Sequence, residues 1–383
     1  MPAPLHRYFV TCAKGLEEVV AGELATEPIR ASAIEPGSSG VWFQGETATG
    51  YRANLWLRAG IRVLQEHARA PVVGSEELYE WARGLDWTSL MRVDQTFSVE
   101  ARVWDSALTH SKYAALTVKD ALCDTFRAKG GERPNVDPNR ADLPLFLYLH
   151  RDEAVLYRDL SGVTLHKRGY RDALHKSSLN EAVAAGILQL TAWDRGAPLL
   201  DPMCGSGTFV IEAALWAMNR APGLLRQGFP FEAWPDFEKR AWNAALEEAR
   251  DLARPKPAGE LMANDVHAGS ISLAKKDARA AGVERFIRFS SADVATYAPP
   301  VKPALAVCNP PWGERLDSPE LEASWRELGR FLKRHCGGAN AWILSGNAEL
   351  TRFLSMKAAR KFPLRLGKID ARALKYEILP PRI

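Results

Sequence analysis

Short apolar runs alternate along the chain with stretches whose apolar residues recur every three or four positions. Residues 8–12 form a run of strand length, and Leu16, Val19, Val20 and Leu24 then fall on one helical face. Residues 41–43 predict a second strand, 48–60 a helix, and 63–66 a third strand. That order over residues 1–65 predicts a small α+β domain. Residues 70–160 predict another. Ser75 is placed to cap a helix over 76–84, and Phe97, Val99, Ala101 and Val103 alternate as a half-buried strand over 95–103. A long helix follows over 110–129, then a turn at 133–137 and a hairpin of 145–149 with 154–160.

From Ser178 onward the chain predicts a third, α/β unit, because strands and helices take turns. An apolar helix begins near Ser178, carrying Leu179, Val183, Ile187 and Leu190. Strands are expected over 199–200 with Asp201 at the end, over 261–263 ending in Asn264-Asp265, over 286–289, and over 305–307 with the chain leaving the sheet at Asn309; helices are expected over 208–218 and 319–335. A further strand at 341–346, a helix at 347–356 and strand ends at 363–369 and 374–379 close the chain, the last two as an antiparallel pair. Residues 219–258 hold Trp234, Trp242, several prolines and a charged helix over 236–253, and read as an inserted excursion.

The chemistry gathers where those strands stop. Open α/β sheets bind ligands at the carboxyl ends of their strands. In 305–316, LAVCNPPWGERL, two prolines force the chain out of the sheet at Asn309, since each lacks an N–H and fixes φ. The stretch offers the Asn309 amide oxygen, the Pro310 carbonyl and the Trp312 ring. Two acceptors and a flat plate suit the exocyclic amine of a nucleobase. Taken alone, the same residues also describe an Asn-Pro turn beside a core Trp. The loop DPMCGSGT at 201–208 is rich in glycine but has no Lys for a terminal phosphate, and Val210 stands where a dinucleotide fingerprint needs its third glycine. An acid ahead of Gly205 and Gly207 suits a ligand with a cationic amino-acid end, as S-adenosylmethionine has, and repels a pyrophosphate. Asp265 is positioned for ribose hydroxyls and Asp293 for an adenine amine. Sixty-four positions separate Asp201 from Asp265, against about 20 in a dinucleotide fold.

Composition narrows the classes without choosing among them. In 383 residues, 46% hydrophobic and 25% charged, two to three globular domains are expected. A formal charge of +4 is compatible with RNA without requiring it. The five cysteines contain no C-x-x-C pair, which argues against a disulfide framework or structural zinc, and no metal is expected. No apolar run is long enough to cross a membrane. The N-terminus lacks a secretory h-region, so the expected location is cytoplasmic. Lys112 and Lys119 on the long helix, and Lys167, Arg168 and Arg171 in the basic run LHKRGYRDALHK, are candidate phosphate contacts; a solvated helix face and a solvated linker are the plain alternatives.

DPMCGSGT, NPPWGERL and LSGVTLHKRGYR resemble the ribosomal RNA large subunit methyltransferase K/L family, and within it the L half, a guanine-N2 methyltransferase of 23S rRNA. FVTCAKGLEEVVAGEL and SKYAALTVKDALCDTFR are similar to its N-terminal regions. The resemblance implies a ferredoxin-like domain at 1–65, a THUMP RNA-binding domain at 66–164 and a Rossmann-like class I methyltransferase domain at 165–383. It implies S-adenosylmethionine as cofactor and structured RNA, rRNA first, as partner. By the same resemblance Asp201, Cys204, Gly205, Gly207, Thr208, Asp265, Val266, Asp293, Val294 and Asn309 would meet the cofactor. Asn309, Pro310, Pro311 and Trp312 would form the catalytic tetrapeptide. Neither Cys204 nor Cys308 is needed as a nucleophile.

The chain departs from the family in three places: Trp312 stands where Tyr is usual, His267 where a second acid is common, and Asn180 where a Lys is common. Ending at Ile383, it is expected to lack the second methyltransferase half of the fused form. A tRNA guanine-N2 methyltransferase, an adenine-N6 methyltransferase and a non-catalytic RNA-binding assembly factor remain as alternatives.

Overall fold

The computed structural model describes residues 4–171, 178–313 and 318–380. The expectations at His175, Lys176 and 314–316 lie outside these residues. Two sheets organise the chain. The first is built from β1 (His6–Cys12), α1 (Glu17–Ala25), β2 (Ser32–Pro36), β3 (Gly40–Gly45), α2 (Thr47–Trp56) and β4 (Gly60–Pro71). It continues through α3 (Ser75–Arg83), α4 (Trp87–Leu90), β5 (Thr96–Trp104), α5 (Ser111–Gly130), β6 (Asn135–Val136), β7 (Leu143–His150) and β8 (Glu153–Asp159). Its eight strands run in the order β2-β3-β1-β4-β8-β7-β5-β6. β4 is the joint. Leu64 faces Phe9 of β1, while Ala68 faces Leu156 of β8, so one twelve-residue strand belongs to both halves.

Local details depart from the expected pattern. β2 has no buried residue, so no apolar run announces it. Ser75 is the first residue of α3 rather than its cap; Gly74 takes that position, and Glu77 accepts the Val73 N–H at 2.7 Å. The turn at 133–137 contains β6, which pairs with β5.

The second sheet follows through α6 (Glu181–Leu190), β9 (Leu199–Asp201), α7 (Thr208–Ala217), α8 (Lys239–Asp251), β10 (Leu261–Asp265), α9 (Ala268–Ala280) and β11 (Ile287–Ser291). It ends with β12 (Leu305–Cys308), α10 (Ser318–His335), β13 (Asn340–Ser345), β14 (Arg360–Leu366) and β15 (Ile369–Glu377). The order is β11-β10-β9-β12-β13-β15-β14, parallel except where β15 meets β13 and β14. Period-2 alternation splits each strand between two cores. Leu199, Leu305 and Val307 pack with α6, α7 and α9, whereas Leu200, Ala306 and Cys308 pack with α10. The helix expected over 347–356 is a single 3₁₀ segment, Leu350–Leu354.

The stretch at 219–258 is a bracket between the sheets rather than an excursion into solvent. Phe229, Phe231, Trp234 and Trp242 are buried in the core of the first sheet. Phe231 stacks on Tyr51 of α2 at 4.4 Å between ring centroids, and Trp242 meets it edge-on at 5.1 Å. Burying an aromatic side chain contributes roughly 1.5–3 kcal/mol.

Candidate active site

Strand order reverses between β9 and β12. From β9 the chain steps outward to β10 and β11, then returns to place β12 on the other side of β9. Such a switch point opens a crevice at the strand carboxyl ends. Asp201 closes β9, Asp265 closes β10, Asp293 follows β11 and Asn309 follows β12. All four expected polar residues therefore stand on one edge of one sheet.

Backbone bonds tie these ends together. Gly205 and Gly207 have φ of +53° and +77°, values that L side chains rarely adopt. The Gly205 N–H donates to Asp265 Oδ2 at 2.9 Å, and the His267 N–H donates to Oδ1 at 2.9 Å. Each oxygen of Asp265 keeps a lone pair for a further donor. The Asn264 side chain joins three strand ends, donating to Pro202 O at 3.1 Å and Ala292 O at 2.9 Å. Asp293 is exposed and uses Oδ1 to accept the Ala295 N–H at 2.8 Å.

Burial sets the electrostatics. Asp201 is 1% exposed, and desolvation, then the nearby Asp265 charge, push its carboxyl well above the usual carboxylate range. Desolvation likewise raises the Cys204 and Cys308 thiols well above the ordinary thiol value, with Asp201 and Asp265 adding to the effect. Cys308 is wholly enclosed in the α10 core. Neither thiol is a thiolate nucleophile at neutral pH.

At Asn309 the side-chain oxygen is buried and has no hydrogen-bond partner. A buried acceptor left unpaired costs about 1–3 kcal/mol. The Trp312 ring is fixed from two sides. Its Nε1–H donates to Leu344 O at 3.1 Å, and its six-membered edge lies against Gly346, where an added Cβ would stand 2.6 Å from the ring. Pro310 is buried, while Pro311 is exposed and accepts Trp325 Nε1–H at 2.9 Å through its carbonyl.

Several expected contacts are corrected. The Thr208 hydroxyl accepts from Arg171 at 2.5 Å and is engaged by the chain itself. Val294 buries its side chain in the α10 core, so only its backbone is available to a ligand; Val266, by contrast, is 55% exposed at the end of β10. Arg168 and Arg171 are not phosphate contacts, because both are interior struts. Arg168 is 1% exposed and donates to the carbonyls of Leu165 and Arg58, 3.5 Å from Glu212. Arg171 pairs with Glu181 at 2.8 Å and Asp277 at 3.1 Å and also reaches Ser206 at 3.1 Å. A guanidinium so fully used has no donor left for solvent-side phosphate. Lys112 and Lys167 are exposed, and Lys119 is paired with Asp120 at 2.6 Å.

Asn264 and Gly346 escaped notice in the sequence, although a polar Asn inside the apolar run LMAND was a visible signal. Asn180 accepts the N–H groups of Ala182 and Val183 and caps α6.

The residues fit S-adenosylmethionine. An added Cβ at Gly205 would meet nothing within 4 Å, which leaves open space over the loop. Acids stand at three strand ends, the exposed apolar Val266 is available to a flat ring, and the unpaired Asn309 oxygen lies beyond them. Comparison with known proteins agrees. The description "RMKL-like, methyltransferase domain" matches residues 168–375, "THUMP domain" matches 75–159, and "RlmL ferredoxin-like domain" matches 7–64. The chain is 35% identical over 372 residues to "Putative RNA methyltransferase slr0064" of Synechocystis, covering 97% of this chain and 96% of that protein. The crystal structure of SMU.472 complexed with SAH superimposes with a TM-score of 0.86 at 26% identity, covering 99% of each chain. A "predicted N6-adenine-specific DNA methylase" from Listeria monocytogenes superimposes at 0.85 with 31% identity, covering 99% of this chain and 97% of that one. The chain thus belongs to the RMKL-like methyltransferases, an S-adenosylmethionine-dependent enzyme that carries a THUMP domain ahead of its catalytic sheet.

Proposed function

We propose that this enzyme methylates the exocyclic N2 of a guanosine in 23S rRNA. The observation that carries the reading is the buried, unpartnered Oδ1 of Asn309 at the end of β12, beside the glycine loop. An acceptor kept in that state is suited to a substrate N–H. The THUMP domain and the name of slr0064 support RNA as the acceptor. Asp201, Asp265 and Asp293, with the loop at 204–207, would hold the cofactor, which supplies an electrophilic sulfonium methyl when bound.

The chain's own residues do the rest. Asn309 Oδ1 and the Pro310 carbonyl accept the two amine hydrogens, which favours a lone pair localised on nitrogen. Trp312 provides the surface on which the flipped base stacks, as bases stack on aromatic side chains elsewhere. The Trp312 ring is held before substrate arrives, and catalysis is by positioning and fixed dipoles. No thiolate takes part, which sets the reading apart from cytosine-C5 chemistry.

An adenine-N6 acceptor is the second reading, favoured by the name of the Listeria relative and by the likeness of the two amines. Nucleoside mass spectrometry on a deletion strain separates them. Loss of N2-methylguanosine from 23S rRNA is expected. Its retention there, with loss from tRNA or loss of an N6-methyladenine mark, would overturn the assignment.

A further inference from the structure

The last hairpin carries cations that the fold does not use. In the β14–β15 register Lys361 stands opposite Leu374 and Pro363 opposite Arg372, so Lys361 and Arg372 rise on the α10 side of the sheet. Arg372 in turn pairs with Ser345, the last residue of β13. The next residue is Gly346, the seat of the Trp312 ring. Between this hairpin and the 3₁₀ segment Leu350–Leu354 lies a cavity of about 340 Å³. Arg352, Lys357, Lys361 and Arg372 line it, against one carboxylate, Asp370, which stands 3.6 Å from Arg365.

None of the four lining cations is ion-paired or hydrogen-bonded through its side chain among the described residues; Arg352 lies over the Phe353 ring at 4.9 Å. Like charges gathered around one concavity repel each other, and such a field concentrates anions. Ser345 and Gly346, at the carboxyl end of β13, line the cavity, and the ring of Trp312 packs against Gly346.

We infer that this cavity is a phosphate-binding subsite that grips the RNA backbone beside the nucleotide stacked on Trp312. The inference rests on the proposed nucleic-acid acceptor. Its chemistry is that of a phosphodiester: a diffuse anion met by Lys ammonium groups and by Arg forks that can bind it bidentately. Arg and Lys here position the strand and read no base.

Salt dependence of RNA binding tests it. The probe is a fluorescein-labelled RNA hairpin with guanosine in its loop, followed by anisotropy with the full chain at several salt concentrations. The double variant Lys361→Ala, Arg372→Ala should bind about tenfold more weakly at low salt. It should also lose about 1.4 from the slope of log affinity against log salt, at about 0.7 for each single-strand phosphate contact. Calorimetric affinity for S-adenosylmethionine should stay unchanged, which shows that the sheet remains folded. The double variant Lys239→Ala, Arg240→Ala on α8, equally poor in charge but remote from the cavity, should keep the wild-type slope. An unchanged slope in the first variant, or an equal loss in the second, would overturn the subsite. Nucleoside analysis of the deletion strain reports on the base and not on this slope, so the two proposals fail separately.

Discussion

The Arg171 guanidinium donates to the Thr208 hydroxyl at 2.5 Å. Through this bond the segment that leaves the first sheet is anchored on the cofactor loop of the second. The same side chain also pairs with Glu181 and Asp277, so three elements meet on one cation. Replacing it with Met removes the counter-charge from two buried carboxylates, and breaking such a pair costs about 3–5 kcal/mol. Arg171→Met should therefore show a large drop in the urea midpoint. Arg171→Lys keeps a charge but not the fork, and should lose cofactor affinity while recovering part of the stability. A Lys variant with normal cofactor affinity and weakened RNA binding alone would restore the phosphate role that the structure argues against.

As a proposed cofactor contact, Asp201 should make cofactor binding depend on pH. Burial holds its carboxyl well above the ordinary carboxylate range, so the ligand-free enzyme keeps the proton to a higher pH than usual. A ligand with a cationic end favours the ionised form. Affinity should then climb as pH rises through the raised value and level off above it, with proton release on binding. Calorimetry between about pH 5 and 8 in buffers of different ionisation enthalpy measures both effects. Asp201→Asn should flatten the profile; a profile of unchanged shape would show that another group is responsible.

The bracket at 219–258 should be a main source of cohesion between the sheets. Phe231 is fully buried among Tyr51, Phe229, Trp234 and Trp242. Phe231→Ala should destabilise the chain by about 3–5 kcal/mol in equilibrium urea unfolding. A cost below about 1 kcal/mol would mean that the bracket packs loosely.

Gly346 gives Trp312 its seat. A methyl group there would meet the ring at 2.6 Å and 2.9 Å, closer than carbon atoms approach. Gly346→Ala should displace the indole and cut methyl transfer roughly a hundredfold, the effect of a misplacement of about 1 Å. Cofactor affinity should change little. Normal turnover in this variant would show that the ring is not the stacking surface.

Much of this was readable from the chain. The apolar runs at 199–200, 261–263 and 305–307 put the polar edge of the second sheet in place, because a parallel strand buried on both faces is a short continuous apolar run; the run at 286–289 stops two residues short of the end of β11, whose last residues are serines. What escaped reading depends on distance in space rather than on pattern. β2 is an edge strand with no buried residue, so periodicity is silent about it. The stretch 219–258 read as an inserted excursion because the partner of its aromatic residues, Tyr51, lies far away in sequence. Arg168 and Arg171 looked like surface charge because an Arg inside a core and one on a surface are written alike. Only Glu212, Glu181 and Asp277, brought in by the fold, tell them apart. The four cations around the last cavity come from two separate stretches and form a pocket only once β15 is laid against β13.

The central claim is that the unpaired oxygen of Asn309 exists to receive a substrate N–H. Single-turnover transfer of labelled methyl from S-adenosylmethionine to rRNA isolated from a deletion strain tests it directly, with wild type set beside Asn309→Ala. The expected result is a transfer rate lower by about 10²–10³-fold, the cost of removing one preorganised polar partner from a reaction centre, with cofactor affinity within about twofold of wild type. A variant that transfers methyl at the wild-type rate would contradict the account.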